Sequence, residues 1–281
     1  MLCRSADLIA EAHASGSGIA AFNVITLEHV QAVADAARRT GRPAIVQISQ
    51  NAVRHHGGDV MPLAAATTAA ARNGDARLAL HLDHVEDVAL LHRTAECGAS
   101  SVMFDASRLP DEENIAATRE AARWAHGHGL FVEAELGEIG GKGSAHTPGM
   151  RTDPKDASRF VAETGVDALA VAVGSSHAMV SRTAALDLEL IARIRDEVSV
   201  PLVLHGSSGV PHTALRAAVE QGMTKINIGT LLNVAFTRAV RAVLAGQPDL
   251  VDPRRYLAPA RDAMTHAVAE CLTALTPPDS P

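Results

Sequence analysis

The stretch Arg77-Leu-Ala-Leu-His-Leu-Asp-His84 is mostly apolar and ends in a carboxylate followed by an imidazole. A short apolar run bounded by polar residues is typical of a strand that is buried on both faces, as in a parallel sheet. Asp83 and His84 therefore emerge together at the point where this predicted strand ends. Similar apolar runs recur along the chain between residues 19 and 228.

Amphipathic stretches of helical length separate these apolar runs. Strands that alternate with helices indicate βαβ units and a parallel sheet, and eight such units predict an α/β fold of the (β/α)8 TIM-barrel type. A doubly wound sheet is the alternative fold, but no Gly-x-Gly-x-x-Gly motif follows the first predicted strand. The predicted strands are Ile19–Asn23, Ala44–Ser49, Leu78–Asp83, Ser100–Asp105, Leu130–Glu135, Ala168–Val173, Pro201–His205 and Lys225–Ile228, and the predicted helices are Thr26–Arg39, Met61–Arg72, Val85–Cys97, Asp111–His126, Asp156–Thr164, Asp187–Glu197, Pro211–Glu220 and Leu231–Ala245.

The barrel is expected to form a single domain that spans residues 1–275. The chain has 281 residues, and about 250 residues are typical of this architecture. An extra C-terminal helix, Pro259–Leu275, is predicted to pack on the barrel or on a neighbouring subunit. The proline-rich residues 276–281 are predicted to form a disordered tail.

Composition narrows the classes of partner. The formal net charge is −7 and aromatic residues make up only 2% of the chain, which argues against binding to nucleic acid or to an anionic membrane. No apolar run reaches the roughly 18 residues that a membrane span needs. The three cysteines are widely spaced, which suggests a reducing compartment rather than a disulfide framework. We therefore expect a soluble, cytoplasmic protein.

Three histidines follow three different predicted strands, and barrel enzymes place their chemistry at the C-terminal ends of the strands. His84, His177 and His205 are these residues, and we predict that they converge on one metal ion. Three protein ligands with an open position are typical of a catalytic zinc rather than a structural one. Asp83 would lie beside the metal, where an acid/base group is useful.

Two further carboxylates, Asp105 and Glu135, end neighbouring predicted strands. They either accept hydrogen bonds from the ligand imidazoles and so orient them, or they form a second or alternative metal position. The residue pattern by itself leaves both alternatives open.

Two small polar loops, His205-Gly-Ser-Ser-Gly209 and Asn227-Ile-Gly-Thr230, follow the seventh and eighth predicted strands. Phosphate sites in barrels commonly follow these two strands, and N–H groups at a helix start bind phosphate. We therefore predict a phosphate site there. A long glycine-rich stretch, residues 137–149, follows the fifth strand and is either a flexible loop or a lid that excludes water.

These motifs resemble, in their order, the class II metal-dependent ketose-bisphosphate aldolases, which include the fructose- and tagatose-bisphosphate aldolases. The resemblance runs from Ala21 to Tyr256, nearly the whole chain. It is carried by Val46-Gln-Ile-Ser49, Leu80-His-Leu-Asp-His84, Ser101-Val-Met-Phe-Asp105, Val132-Glu-Ala-Glu-Leu-Gly-Glu-Ile-Gly-Gly141, Pro201-Leu-Val-Leu-His-Gly-Ser-Ser-Gly209 and Lys225-Ile-Asn-Ile-Gly-Thr230.

The resemblance implies a zinc-dependent lyase that joins dihydroxyacetone phosphate, or a close ketose-phosphate donor, to an aldehyde. It implies that the three histidines hold the zinc, that Asp83 protonates the aldehyde oxygen, and that Asp105 and Glu135 form the second metal position. A monovalent cation is a further candidate cofactor, and the family forms homodimers or homotetramers. By resemblance Ser49 contacts the aldehyde, Arg254 reaches a phosphate across a subunit contact, and the remaining substrate-binding positions are Asn23, Ala178, Gly206, Ser207, Ser208, Asn227, Ile228, Gly229 and Thr230.

The chain departs from the family pattern on the ketose-phosphate side. The stretch after the sixth strand reads His177-Ala-Met-Val-Ser-Arg182 where the family has His-Gly-x-Tyr-Lys-Gly, and Arg182 is a candidate to compensate. The family's mobile, proton-abstracting glutamate is absent from Lys142-Gly-Ser144, so Glu138 and His146 are the candidate bases. Gly229 stands where the family often has Asp or Ala. The alternative functions are a metal-dependent barrel epimerase or hydrolase, and a non-catalytic sugar-phosphate-binding protein.

Overall fold

The computed structural model describes residues 1–136, 151–176 and 179–276. Within these residues, eight parallel strands close into a barrel in chain order, with the last strand hydrogen-bonded to the first. The predicted (β/α)8 barrel is confirmed, and the doubly wound alternative is wrong. The strands are β1 (Ile19–Asn23), β2 (Ala44–Ser49), β3 (Leu78–Val85), β4 (Ser101–Phe104), β5 (Phe131–Glu135), β6 (Ala168–Ala170), β7 (Leu202–Leu204) and β8 (Met223–Ile228).

Helices surround the barrel and connect its strands. The helices of the described residues are α1 (Ser5–Ser15), α2 (Leu27–Thr40), α3 (Gln50–His55), α4 (Met61–Arg72), α5 (Val88–His92), α6 (Asp111–Gly127), α7 (Pro154–Thr164), α8 (Leu188–Glu197), α9 (His212–Glu220), α10 (Thr230–Gly246) and α11 (Arg254–Ala274). The extra C-terminal helix, α11, packs against α2 and α10. It therefore lies on the barrel, which is one of its two predicted positions.

The strands are apolar on both faces because alternate side chains enter two different cores. Val46 and Leu80 pack in the large core between the strands and the surrounding helices. Their neighbours Ile45 and Ala79 point to the other side of the sheet and join a cluster inside the barrel. This period of two places Gln47 and His81, two positions further along, on the interior side as well.

Helix α1 closes the N-terminal end of the barrel. Leu8, Ile9 and Ala12 of this helix pack against the interior residues Ile19 and Ile45. The repeating strand–helix pattern does not predict α1, because this helix lies before the first strand. The N-terminal end of the barrel is therefore closed by apolar side chains. The polar side chains of the predicted site lie at the opposite, C-terminal end of the strands.

Several predicted boundaries differ from the structure. The helix predicted at Val85–Cys97 is only the short α5, because Val85 continues β3 and pairs with Phe104 of β4. The helix predicted from Pro259 begins earlier, at Arg254, and Pro259 lies inside α11. Proline favours the first position of a helix, so the predicted start at Pro259 lies too late in the chain.

The remaining expectations concern the C-terminal tail, membrane-spanning helices and the domain boundary. Of the tail predicted at residues 276–281, only Thr276 is described, and its hydroxyl donates a hydrogen bond to the Leu272 carbonyl. Among the described helices, none combines the length and the apolar character that crossing a membrane would require. The single-domain boundary at residue 275 stays a prediction.

Replacing Leu8 with alanine should lower the free energy of unfolding by about 2–5 kcal/mol, the usual cost of truncating a buried leucine. Leu8 is 1% exposed beneath the barrel, at the end opposite to the polar strand ends, so the folded variant should keep its ligand affinity. Urea unfolding followed by circular dichroism measures the change. The control is Val251→Ala, because Val251 is 87% exposed and should change stability by less than about 0.5 kcal/mol. Equal stability of the two variants would contradict the packing of α1.

Candidate functional site

The end of β3 has an unusual backbone that brings two adjacent side chains to one face. Neighbouring residues of a regular strand point to opposite faces, but His84 has φ +49°, in the left-handed region. The pairing of β3 with β4 also shifts its register between Leu82 and Val85. As a result Asp83 and His84 both line the same cavity at the C-terminal end of the barrel. A non-glycine residue in this conformation costs of order 1–3 kcal/mol, and such strain is concentrated at functional sites.

Two imidazoles meet at this cavity. The Nε2 atom of His84 lies 3.1 Å from the Nδ1 atom of His205, and the two rings are nearly perpendicular. The opposite nitrogen of each ring bonds to a carboxylate: His84 Nδ1 to Asp105 at 2.7 Å and His205 Nε2 to Glu133 at 2.9 Å. Each ring is therefore held by a carboxylate at the nitrogen that points away from the other imidazole.

Glu133 is in turn bound to a lysine inside the barrel. Lys225 Nζ donates to the second carboxylate oxygen of Glu133 at 2.7 Å, and both side chains are fully buried. The sequence pattern assigns no role to either residue. The available signals are that Glu133 lies two positions before Glu135, on the same side of β5, and that Lys225 is a charged residue within a strand. Buried charges are almost always paired.

The Asp83 carboxylate is held at one oxygen. Its Oδ2 accepts a hydrogen bond of 2.6 Å from the Asn23 side chain, and Gln47 donates to the Asn23 side-chain oxygen at 2.8 Å. Its other oxygen, Oδ1, is buried and has no hydrogen-bond partner among the described residues. Asp83 therefore presents one oriented and unpaired oxygen in a cavity that it lines.

The carboxylates around His84 favour a positive charge. Burial opposes the charged form of this imidazole, but Asp83, Asp105 and Glu135 together raise its pKa to about 10. Burial also opposes the charge on Asp105, but its hydrogen bonds with His84 and Ser107 hold its pKa well below the ordinary value. The site therefore attracts a cation at neutral pH, and in the metal-free protein a proton on His84 takes that role.

The donor atoms have the spacing that one metal ion requires. Asp83, His84 and His205 each offer a ligand atom within 4.8 Å of the others, and His84, Asp105 and Glu135 form a second such group. Zinc–ligand distances of about 2.0–2.2 Å are compatible with both groups. Asp105 already orients His84 through their hydrogen bond, which supports its predicted role as a carboxylate that orients a ligand imidazole. The second group still allows the other predicted role, a second or alternative metal position.

The predicted phosphate side is a narrow part of the same cavity. Gly206 has φ +67°, and a Cβ atom at this position would lie 2.6 Å from the Ser176 carbonyl carbon, so only glycine fits there. Ser208 Oγ accepts a hydrogen bond from the backbone N–H of Leu231 and so joins this loop to the start of α10. The lining residues are Asn23, Asp83, His84, Ser176, His205, Gly206, Ser208, Asn227, Gly229 and Thr230.

Other predicted substrate residues lie elsewhere. Ser49 lines a second, larger cavity and caps α3 by accepting the Ala52 N–H. Ser207 is buried and donates to the Leu204 carbonyl, and the Ile228 side chain packs in the core between sheet and helices, so neither side chain lines either cavity. Arg254 is 89% exposed and pairs with Asp252 of its own chain.

Five further predicted positions are either away from both cavities or outside the described residues. Arg182 interacts with the Cys271 thiol and lines neither cavity, so its position does not support compensation on the phosphate side. The predicted ligand His177, the predicted substrate position Ala178, and the candidate bases Glu138 and His146 lie outside the described residues. Their roles stay predictions.

Comparison with known proteins shows the family and the fold. The model of the class-II fructose-bisphosphate aldolase family matches residues 3–278. The YdjI aldolase from Escherichia coli K12 is 32% identical, with a TM-score of 0.85 over 98% of this chain and 97% of that chain. The fructose-bisphosphate aldolase of Campylobacter jejuni shares the fold at 22% identity, with a TM-score of 0.81 over 98% of this chain and 95% of that one. The chain belongs to the class-II fructose-bisphosphate aldolase family.

Proposed function

We propose that this protein is a zinc-dependent aldolase that makes or cleaves a carbon–carbon bond between dihydroxyacetone phosphate, or a close ketose-phosphate donor, and an aldehyde. The observation that supports it most is the 3.1 Å approach of His84 Nε2 and His205 Nδ1 beside an Asp83 oxygen that no described residue bonds. Family membership supports aldolase chemistry. The proposal includes a homodimer or homotetramer that works in the cytoplasm.

The metal would be held by His84 through Nε2 and by His205 through Nδ1, with His177 as the proposed third ligand. Carboxylates that accept from the opposite ring nitrogens favour this choice, because they select the tautomer and increase the basicity of the ligand atom. The nitrogen-rich set suits zinc. When bound, the ion supplies electrophilic polarisation of the donor carbonyl. Asp105 and Glu135 remain the proposed second or alternative metal position.

Asp83 is the proposed acid for the aldehyde oxygen. In condensation it gives a proton to the oxygen that becomes a hydroxyl, and in cleavage it takes that proton back. Such a group must lie within hydrogen-bond reach of the reacting atom. The bond from Asn23 to Oδ2 orients the carboxylate and leaves Oδ1 for the substrate.

The donor phosphate would lie between two loops that meet at the start of α10. The backbone at Gly206 approaches closely because no Cβ fits there, and Gly229 and Thr230 line the cavity at the point where α10 begins. A helix start of this kind favours a phosphate. Removal of the donor C–H proton requires a base, for which Glu138 and His146 stay the candidates.

The function predicts that the zinc-loaded protein exchanges a C–H hydrogen of dihydroxyacetone phosphate with deuterated solvent, without any aldehyde present. Asp83→Ala should retain zinc and this exchange, but it should lower condensation by about 10²–10⁴-fold, the usual contribution of a positioned acid. Proton NMR follows both reactions, and Asp75→Ala, at an exposed position, is the control. Absence of exchange with several ketose phosphates would favour the non-catalytic or non-aldolase alternatives. Equal loss of exchange and condensation in Asp83→Ala would assign Asp83 to a different step.

Glu133→Gln should weaken zinc binding by about 10–100-fold, the usual effect of losing a carboxylate that orients a ligand histidine. The amide no longer selects the tautomer that leaves His205 Nδ1 free. Competition with a chromophoric chelator measures the affinity. Glu120→Gln, at an exposed position of α6, should leave it unchanged. Unaltered affinity in Glu133→Gln would remove this residue from the metal site.

Protonation of His84 should stabilise the metal-free protein. Its pKa in the folded protein is about 10, above the ordinary value of 6.5, so its contribution is fully present below pH 6.5 and is lost as the pH rises through 10. The stability difference between the chelator-treated protein and its His84→Asn variant should therefore shrink between about pH 6 and about pH 10.5. Urea unfolding measures it, and His55→Asn, at an exposed position, is the control. A difference that is constant over this range would contradict the raised pKa.

A further inference from the structure

The larger cavity of the site ends in a group of charged side chains that the proposed chemistry does not use. This cavity has a volume of about 580 Å³ and reaches from Asp83 and His84 to Arg54, Glu86 and Arg108. Exposure increases along it, since Asp83 is 2% exposed, whereas the arginine side chains are 62% and 80% exposed. The three charged residues therefore lie at its outer end.

The sign of charge reverses between the two ends. The inner end carries the carboxylates Asp83, Asp105 and Glu135, which suit a cation. At the outer end one carboxylate, Glu86, lies between two guanidinium groups, at 3.9 Å from Arg54 and 3.5 Å from Arg108. The outer end therefore has a net positive charge. An arginine presents five N–H donors, and these long contacts leave donors of both residues available to a ligand.

A buried glutamine connects the two segments that form the outer end of the cavity. Gln50, which is 5% exposed, accepts hydrogen bonds of 3.0 Å from the backbone N–H groups of Glu86 and Asp87. Gln50 begins α3, the helix that also carries Arg54. The loop after β3 and helix α3 are thus joined, so the position of Glu86 relative to Arg54 does not depend on the weak ion pair alone.

We propose that Arg54 and Arg108 bind an anionic group at the end of the aldehyde that is remote from its carbonyl, so that the natural aldehyde ends in a carboxylate or a phosphate. The inference rests on the proposed aldolase function, which places the aldehyde carbonyl at Asp83. From there the aldehyde chain extends along the cavity, past Ser49, to the two arginines. Guanidinium groups match the geometry of both anions, which can accept two parallel hydrogen bonds.

Glu86 has a defined part in this scheme. Without a ligand it offsets the repulsion between the two guanidinium groups, and an incoming anion competes with it for their donors. Both arginines belong to the same chain as Asp83 and line the same cavity. Their proposed role is therefore separate from the cross-subunit role suggested for Arg254.

The test compares aldehydes of equal length that differ in terminal charge, with dihydroxyacetone phosphate as donor. Glyceraldehyde is neutral, glyceraldehyde 3-phosphate ends in a phosphate, and tartronate semialdehyde ends in a carboxylate. Glucose and glucuronate form a longer pair of the same kind. The wild-type protein should show a higher kcat/KM for one anionic class than for its neutral counterpart, and the preferred anion identifies the terminal group.

The Arg54→Gln, Arg108→Gln double variant should raise KM for the preferred anionic aldehyde by about 10–100-fold, as expected when charge-assisted hydrogen bonds are lost. It should change kcat/KM for the neutral aldehyde by less than about threefold and leave the C–H exchange of the donor intact. Glu86→Gln should lower KM for the anionic aldehyde, because the competing carboxylate is gone. Arg123→Gln, at an exposed position of α6, is the charge-matched control.

The outcomes separate the two proposals. Absence of donor exchange in the wild-type protein would reject the aldolase function. Normal exchange with no preference for an anionic aldehyde, or with equal effects of the double variant on charged and neutral aldehydes, would overturn the role of Arg54 and Arg108 and leave the aldolase function standing.

Discussion

Lys225 and Glu133 meet inside the barrel at 2.7 Å, with both side chains closed off from solvent. The geometry of the site depends on this pair. Glu133 has two carboxylate oxygens, and the lysine occupies one of them while His205 occupies the other. Removing one member of a buried ion pair leaves an uncompensated charge, so the position of the carboxylate that accepts from the imidazole depends on the lysine beside it. Asp105 performs the equivalent task for His84 on the opposite side of the site.

Stability and chemistry occupy opposite ends of the barrel. The N-terminal end is closed by apolar contacts between α1 and the first three strands, and the surrounding helices cover the outer face of the sheet. The C-terminal end carries the costly features, which are a left-handed His84 and a buried Asp83 oxygen that has no hydrogen-bond partner among the described residues. The apolar core supplies the free energy that maintains these unfavourable groups.

The two sides of the site differ in width and charge. On the proposed donor side, Gly206 lies so close to Ser176 that no side chain fits, which would suit a small phosphorylated donor. On the proposed aldehyde side the cavity is larger and ends at two arginines. A divalent cation would lie against the acidic region of the protein, and the negative groups of the two substrates would lie against its basic regions. This electrostatic complementarity would orient the substrates before any bond forms.

The sequence by itself determined the barrel and the polar ring at its C-terminal end, because apolar runs of strand length and helical periodicity are local properties. It identified Asp83, His84, His205 and Asp105 as neighbours, since the carboxyl ends of parallel strands meet at one face. Only the tertiary structure decided which nitrogen of each imidazole is available, that Lys225 on β8 neutralises Glu133 on β5, and that Arg54 and Arg108 share a cavity with Asp83. These relationships join residues that are distant in the chain. They depend on side-chain directions, on the backbone conformation at His84 and on the closure of the barrel. A linear sequence pattern encodes none of these.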